Sequence, residues 1–226
     1  MMDKLTGAAG RRYVAKAIRE ALQRGDLVPG QRLVEYDLAE SLVTTRSAVR
    51  EALQDLAAVG VVELVPRRGA RIRSVSVEEA VQITECRSAL EQLCAKKAAV
   101  RATDKQRDEL IGIGERMRRA VADNAVHDYS ALNRRLHELV IEASGQDVAR
   151  RQLEQFNGPM VRHQFRLASR PGRPAQSLQH HLDIIEAVVA GDAAAAGRAA
   201  AAHLDDVIDQ LRATADGAAI TLTRPA

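Results

Sequence analysis

The sequence predicts a mostly α-helical protein, with an N-terminal winged helix-turn-helix followed by a C-terminal all-α helical bundle of about six helices. Two observations lead to this fold class. Between Tyr36 and Leu53, two short amphipathic segments meet at a polar turn, and two β-rich runs follow around a Pro-Arg-Arg-Gly tip. After Ser76, every long segment repeats its apolar residues at helical spacing.

Periodicity and turn residues define the N-terminal elements. Residues 1–10 show no periodicity, which predicts a flexible tail. Apolar residues recur at helical spacing from Arg12 to Arg24, and Gly25 ends that helix. A Pro-Gly turn follows, and Thr45 is the expected N-cap of a later helix. The remaining predicted elements are helices over 35–42 and 46–59 and hairpin strands over 61–65 and 70–74.

The C-terminal part predicts helices throughout. Gly191-Asp192 joins the last two as a C-cap glycine followed by an N-cap aspartate. The predicted helices span 77–101, 104–122, 127–144, 147–168, 176–190 and 193–213. We therefore expect four regions, which are a tail over 1–10, a winged helix-turn-helix head over 11–75, a helical body over 76–213 and a tail over 214–226.

The composition is that of a globular protein, with 46% hydrophobic and 28% charged residues among 226. The chain has no apolar run of about 18 residues and no signal-peptide core, so we expect a cytoplasmic protein without a membrane partner. Cys86 and Cys94 are separated by roughly 12 Å along one predicted helix. They are too far apart to form a disulfide with each other, which suits a reducing compartment.

Charge is unevenly distributed along the chain. Residues 1–75 hold 13 Lys and Arg against 9 Asp and Glu, whereas residues 76–226 hold 20 against 21. A basic N-terminal third on a near-neutral remainder is typical of a nucleic-acid-binding head on a body with another task.

The second helix of the helix-turn-helix carries arginines that could read DNA. Arg46 and Arg50 are four residues apart and project from one face, where they can contact phosphates or guanine. The alternative is a solvated face that pairs with Glu51 or Asp55. The basic hairpin tip suits phosphates or the minor groove, although a surface hairpin with incidental arginines is the alternative there. We assign DNA contacts to Arg46, Ser47, Arg50, Arg67, Arg68 and Gly69.

Three histidines of the helical body are expected at similar heights along the bundle. His137 follows Asn133 by four residues on an apolar stripe. His181 lies ten residues before Gly191 and His203 lies eleven after Asp192, so a tight antiparallel hairpin brings them to nearly the same height. Three histidines and an amide suggest a divalent metal site of the Zn, Ni or Mn type. The alternative is that they are hydrogen-bonded core residues.

A cationic side chain also falls on an apolar face. Arg87 lies on the same stripe as Leu90 and Cys94, and a buried cation needs an anion. Either Glu91, four residues on, satisfies it, or the carboxylate of a ligand does.

The N-terminal segment PGQRLVEYDLAESLVTTRSAVREALQDLAAVGVVELVPRRGARI resembles the head of GntR-type bacterial transcription regulators. The usual pattern there is PGxxLxExxLAxxLGVSRxPVREALxxLxxxGLVxxxxxxGxxV. The VREAL motif, the LAE helix and the wing glycine fall in register. Val43 stands at the usual turn glycine, where a β-branched residue is tolerated only with a negative φ. Tyr36 stands where some members carry a base-contacting arginine.

The body resembles the FCD effector domain of the FadR branch in ECRSALEQLCAKKAA, LNRRLHELVIEASGQ and HLDIIEAVVAGDAAAAGRAAAAHL. With the head, the resemblance covers about residues 11–213. It implies a divalent metal ion on Asn133, His137, His181 and His203. It also implies a small carboxylate effector near the metal, paired with Arg87.

These observations favour a ligand-responsive transcription regulator, which we expect to be a repressor. It would bind a two-fold double-stranded DNA operator as a homodimer. One alternative is a metal-dependent, hydrolase-like enzyme in which zinc activates water, but an enzyme would not explain the head. Another is an architectural DNA-binding protein that responds to no effector.

Overall fold

The computed structural model describes residues 4–66, 68–168, 170 and 172–218. The chain forms two compact units. The first comprises residues up to Ser76 together with Glu154–Phe165, and the second comprises Val77–Leu153 and the residues from Arg166 onwards. Over the described residues the secondary structure consists of nine helices and three short strands, which confirms the predicted fold class.

The first unit contains a helix-turn-helix and a small sheet. The three strands are antiparallel in the order β1-β3-β2, with Leu33 opposite Ala70 and Val62 opposite Ile72. The two-residue β1 is an addition to the predicted hairpin. The elements are α1 (Gly7–Arg24), β1 (Arg32–Leu33), α2 (Glu35–Ser41), α3 (Arg46–Ala58), β2 (Val62–Val65) and β3 (Gly69–Ile72).

The core of the first unit is built from aliphatic side chains of α1, α3 and the sheet. Ile18 of α1 and Leu53 and Leu56 of α3 are almost fully buried. Burial of one such side chain stabilises a fold by about 1.5–3 kcal/mol, so this layer fixes α3 against α1. Thr45 caps α3 as predicted, since its hydroxyl accepts a hydrogen bond from the Ala48 amide at 3.3 Å.

The chain becomes ordered earlier than the periodicity predicts. Helix α1 begins at Gly7 rather than near Arg12, so it takes up part of the predicted flexible tail over 1–10. Before it, Leu5 pairs with the turn of the helix-turn-helix, since its carbonyl accepts the buried Thr44 hydroxyl at 2.6 Å. The apolar periodicity did not predict the segment around Leu5 because backbone pairing, rather than an apolar helix face, keeps that segment in place.

The turn between α2 and α3 differs from its predicted conformation. Val43 has φ 48°, in the left-handed region, where a negative value was expected. The helix end demands this: the Thr44 amide bonds to the Ala39 carbonyl at 3.0 Å and the Val43 amide to the Glu40 carbonyl at 3.3 Å. That pair of bonds is a Schellman motif, which places a left-handed residue at Val43.

The second unit is helical throughout its described residues. Its helices agree with the predicted ones to within about five residues, and α9 extends into the predicted tail over 214–226. They are α4 (Val77–Arg101), α5 (Asp104–Ala122), α6 (Val126–Ser144), α7 (Asp147–Ala168), α8 (Arg173–Val189) and α9 (Ala193–Ala218), and part of α7 groups with the first unit.

Small residues let α4 and α9 approach closely. Ala95 and Ala99 of α4 and Ala196 and Ala200 of α9 are all buried in one apolar cluster. At Gly197, an added Cβ would lie 2.2 Å from the Lys96 side chain, so only glycine fits there without movement. This packing sets α9, and the histidine it carries, beside α4. None of the helices in the described part of the chain has the length and apolar character needed to cross a membrane.

Val43→Gly should stabilise the protein. A left-handed β-branched residue costs about 1–3 kcal/mol, and glycine removes that cost while losing about 0.4–1 kcal/mol through unfolded-state entropy. We expect a net gain of roughly 1 kcal/mol, measured by urea denaturation. The matched control is Val28→Gly, since Val28 is also exposed and has no positive φ, and it should destabilise. A loss of stability in Val43→Gly equal to that in the control would contradict this account.

Candidate metal centre and DNA-binding surface

Three histidines from three helices meet inside the second unit. They are His137 of α6, His181 of α8 and His203 of α9, and each offers a nitrogen within 4.8 Å of the others. The ring centroids of His181 and His203 lie 4.5 Å apart, and that of His137 lies 5.6 Å from the first and 5.1 Å from the second. The structure therefore brings together the three histidines that the sequence placed at one level.

The α8–α9 hairpin sets the height of two of these histidines. Gly191 adopts φ 75°, which lets the chain reverse, and the Asp192 carboxylate accepts a hydrogen bond from the Ala195 amide at 2.9 Å. Both helices then run back along each other, and His181 and His203 face the same interior. His181 is only 1% exposed and His203 only 6%.

Buried polar atoms around the three histidines have no protein partner. Asn133 Oδ1, His181 Nε2 and His203 Nδ1 are inaccessible to water and find no hydrogen-bond partner among the described residues. A buried polar atom left without a partner costs about 1–3 kcal/mol. Lone pairs of one amide oxygen and of imidazole nitrogens are suitable ligands for a divalent metal ion. The residues present therefore fit such an ion.

Burial keeps two of the imidazoles neutral. It lowers the pKa of His181 and of His203 well below the ordinary value of 6.5, and the nearby His137 and Arg173 lower both further. A histidine must be neutral to bind a metal. The interior thus holds His181 and His203 in the ligand form at neutral pH.

A buried carboxylate lies behind His137. Glu91 Oε2 lies 3.2 Å from His137 Nδ1, and Glu91 Oε1 accepts a hydrogen bond from Arg87 Nη2 at 2.7 Å. Burial alone would raise the pKa of Glu91, but the charge of Arg87 and the contacts with His137 outweigh it and lower the pKa to about 2. Glu91 therefore carries a negative charge, and Arg87 and His137 both contact its carboxylate.

Arg87 was predicted to pair either with Glu91 or with a ligand. The structure pairs it with Glu91, and it leaves Arg87 Nε buried and without a partner among the described residues. A small cavity beside Glu91 and His137 is also lined by Cys94 and Ile141. Arg87 Nε thus remains a buried hydrogen-bond donor that the ion pair with Glu91 does not use.

Sequence reasoning missed the partners of His181. Tyr129 of α6 is buried, and its hydroxyl lies 2.8 Å from His181 Nδ1 and 2.9 Å from Ser177 Oγ. The spacing held a signal, because Tyr129, Asn133 and His137 succeed one another at four-residue intervals and Ser177 precedes His181 by four. Arg173 is also buried near this group, where it pairs with Asp206 at 2.6 Å.

The first unit presents an exposed helix face with an arginine already oriented. Arg46 and Ser47 are exposed at the start of α3. Arg50 Nε and Nη2 donate to the two carboxylate oxygens of Glu35 at 3.0 and 2.7 Å. The alternative that Arg46 and Arg50 pair with Glu51 or Asp55 is wrong for Arg50.

Two acidic residues of α3 instead face α1. Arg11 forms a two-pronged ion pair with Asp55 and approaches Glu51 at 4.0 Å. Asp55 and Glu51 thus interact with α1. The alternative that they pair with Arg50 was wrong because it considered only partners within one helix.

The wing tip is a tight turn between β2 and β3. The Arg68 amide donates to the Val65 carbonyl at 2.9 Å, and the Arg68 side chain is exposed. Gly69 has φ 85°, and an added Cβ would lie 2.9 Å from the Leu33 carbonyl, so glycine is required there. Arg67, also predicted to contact DNA, lies outside the described residues.

Comparison with known families decides the identity of the chain. Residues 11–72 match the bacterial regulatory proteins of the gntR family, and residues 82–206, more than half of the chain, match the FCD domain. The protein belongs to the GntR family of transcriptional regulators. It is of the type that carries an FCD domain. The family consists of regulators rather than enzymes, as the sequence predicted.

Relatives agree with this assignment. The chain is 26% identical over 186 residues to the transcriptional repressor RspR of Escherichia coli, and the aligned region covers 82% of each chain. It is 27% identical over 207 residues to a probable D-xylose utilization operon repressor of Paenarthrobacter nicotinovorans, which covers 90% of this chain and 91% of that one.

Solved structures share the fold. E. coli McbR/YncC aligns with a TM-score of 0.77 at 22% identity, over 92% of this chain and all (100%) of that one. A GntR regulator from Rhodococcus aligns with a TM-score of 0.72 at 22% identity, over 90% of this chain and 97% of that one.

The metal-free protein should lose stability as pH falls below about 6.5. The unfolded chain binds protons on His181 and His203 near that pH, whereas burial depresses both pKa values in the folded state, so acid favours unfolding. Each group contributes up to about 1.4 kcal/mol per pH unit. Urea denaturation at pH 7.5 and 5.5, with a chelator present, measures this. Replacing the exposed His127 by Gln should leave the slope unchanged, and a flat stability in the wild type would contradict the analysis.

Proposed function

We propose that this GntR-family protein is a homodimeric repressor that binds a two-fold DNA operator through its first unit. A small organic acid, held at a divalent metal ion in the FCD bundle, would change its affinity for that operator. The observation that carries the proposal is the buried group of His137, His181 and His203, whose ligand nitrogens lie within 4.8 Å of one another. Because it acts on DNA, we place it in the cytoplasm.

Asn133, His137, His181 and His203 would hold the ion, which we expect to be Zn, Ni or Mn. When bound, the ion would supply a positive charge for a carboxylate. A histidine binds a metal only in its neutral form, so all four of these ligands would be uncharged in the complex, and Glu91 is already balanced by Arg87 at 2.7 Å. The charge of the ion therefore remains uncompensated by its ligands, and a negatively charged effector would offset it.

Arg87 is the proposed second anchor of the effector. Its Nε is buried without a partner among the described residues, so a carboxylate oxygen could accept a hydrogen bond from it. The effector class, that of small organic acids, is proposed from the charges of the ion and of Arg87, because the cavity beside Glu91 and His137 has room for little more than a water molecule.

DNA binding is proposed for the exposed arginines of α3 and the wing. Arg50 and Glu35 form an exposed ion pair, which contributes about 0–1 kcal/mol, so guanine can replace Glu35 as the partner of Arg50. The proposed contacts are Arg46, Ser47, Arg50, Arg67, Arg68 and Gly69.

A single winged helix contacts too little DNA for tight binding, which is why we propose a homodimer. We assign residues 11–75 to the DNA-binding domain and residues 76–213 to the effector-binding and dimerisation domain. The flanking segments over 1–10 and 214–226 carry no proposed role. The relatives named as repressors support the proposed sign of regulation.

Arg50→Ala should remove sequence recognition. On an operator selected from random duplexes by the wild-type protein, we expect a loss of about 1–3 kcal/mol per half-site, with little change on unrelated DNA. Arg68→Ala should weaken binding to both kinds of DNA and reduce the salt dependence. Fluorescence anisotropy at several salt concentrations measures both variants. Wild-type operator affinity in Arg50→Ala would refute the role of α3.

Removing two ligands should abolish the response and spare DNA binding. The double variant His181→Ala/His203→Ala should bind no divalent metal and show no effector-dependent change in operator affinity, yet bind the operator like metal-free wild type. The matched control is His127→Ala, which removes an exposed histidine outside the group and should keep about one ion per chain. A normal effector response in the first double variant would show that the metal is not part of the switch.

A further inference from the structure

We propose that Tyr129 and Ser177 form a hydrogen-bond relay that fixes the tautomer of His181 and leaves its Nε2 free to bind the metal ion. Tyr129 is then a positioning residue, since it acts on the ion only through His181. The inference rests on the proposed metal centre for its purpose, but the tautomer itself is a property of the metal-free protein.

The relay contains three contacts in series. His181 Nδ1 lies 2.8 Å from the Tyr129 hydroxyl, which lies 2.9 Å from Ser177 Oγ. Ser177 Oγ in turn lies 3.1 Å from the Arg173 carbonyl oxygen of the same helix. Tyr129 and Ser177 each carry one hydroxyl hydrogen, and the carbonyl can only accept.

Only one direction makes all three contacts hydrogen bonds. Ser177 donates its hydrogen to the Arg173 carbonyl, so its oxygen must accept from Tyr129. Tyr129 has then used its only hydrogen, so its oxygen must accept from His181 Nδ1. The reverse direction loses the bond to Arg173, and it places a hydrogen on His181 Nε2.

That second consequence is costly. His181 Nε2 is buried and has no hydrogen-bond partner among the described residues, so an N–H there would be an unsatisfied donor. Such a donor would stay unsatisfied even when a metal ion binds, whereas a lone pair at Nε2 can be satisfied by the ion. With the hydrogen on Nδ1, Nε2 instead offers a buried lone pair that no described residue uses. This is the form that a metal requires.

The same arrangement occurs on the neighbouring histidine. Glu91 Oε2 lies 3.2 Å from His137 Nδ1, and a carboxylate at that place favours the hydrogen on Nδ1 and the lone pair on Nε2. Two of the three histidines are thus oriented by an acceptor at Nδ1. The acceptor is the charged Glu91 for His137 and the neutral relay for His181. The relay does this for His181 without adding charge to the interior.

The test uses full-length, metal-stripped protein and Zn²⁺ as the probe. Tyr129→Phe removes the acceptor of His181 and keeps the ring, so zinc affinity, measured by competition with a chelating dye, should fall about 10–100-fold. Ser177→Ala should lower it by a smaller factor. Tyr13→Phe is the matched control, since Tyr13 is 43% exposed in the first unit, and it should leave zinc affinity unchanged.

A second readout needs no metal. Long-range ¹H–¹⁵N spectra of metal-free protein should show His181 with its hydrogen on Nδ1, and Tyr129→Phe should shift hydrogen towards Nε2. A hydrogen on Nε2 in the wild type overturns the relay, and so does zinc affinity in Tyr129→Phe equal to that of the wild type. If the wild type shows the Nδ1 hydrogen but binds no zinc, the metal centre fails and the relay stands.

Discussion

The second unit depends on the burial of His181 and His203, whose imidazoles are kept neutral by burial and whose Nε2 and Nδ1 atoms, respectively, have no partner among the described residues. Leaving such atoms without partners opposes folding, since each buried one costs about 1–3 kcal/mol. On the neighbouring atoms of the site, Glu91 contacts Nδ1 of His137 and Tyr129 contacts Nδ1 of His181. The interior is therefore prepared for a ligand that it does not itself supply. A core selected for stability alone would place apolar side chains there.

Much of this site could be predicted from the sequence, because it follows from regular geometry. The heights of His181 and His203 depend only on the helical rise and on a tight turn, and the structure keeps both. The roles of Glu91 and Tyr129 depend on which helices become neighbours and how each is rotated. Apolar periodicity identifies the buried face of a helix but not the helix that covers it. The histidines were therefore within reach of the sequence, whereas their hydrogen-bond partners were not.

The first unit shows the same division. The bounds of α2 and α3, the Thr45 cap and the wing follow from local patterns, and they are confirmed. The pairing of Arg50 with Glu35 joins two helices across the turn, so a search along one helix could not find it. The left-handed φ of Val43 is imposed by the Schellman end of α2 against the preference of valine. Where hydrogen bonds of the backbone override the preference of a single residue, sequence reasoning gives the wrong local conformation but the correct fold.

The three histidines are the proposed ligands of a divalent ion. X-ray absorption spectroscopy at the metal edge, on full-length protein purified without added chelator and analysed for metal content, tests this most directly. We expect about one ion per chain, surrounded by imidazole nitrogens together with oxygen and by no sulfur. Protein that stays metal-free when offered Zn, Ni and Mn, or an ion bound through the thiol of Cys94, would contradict it.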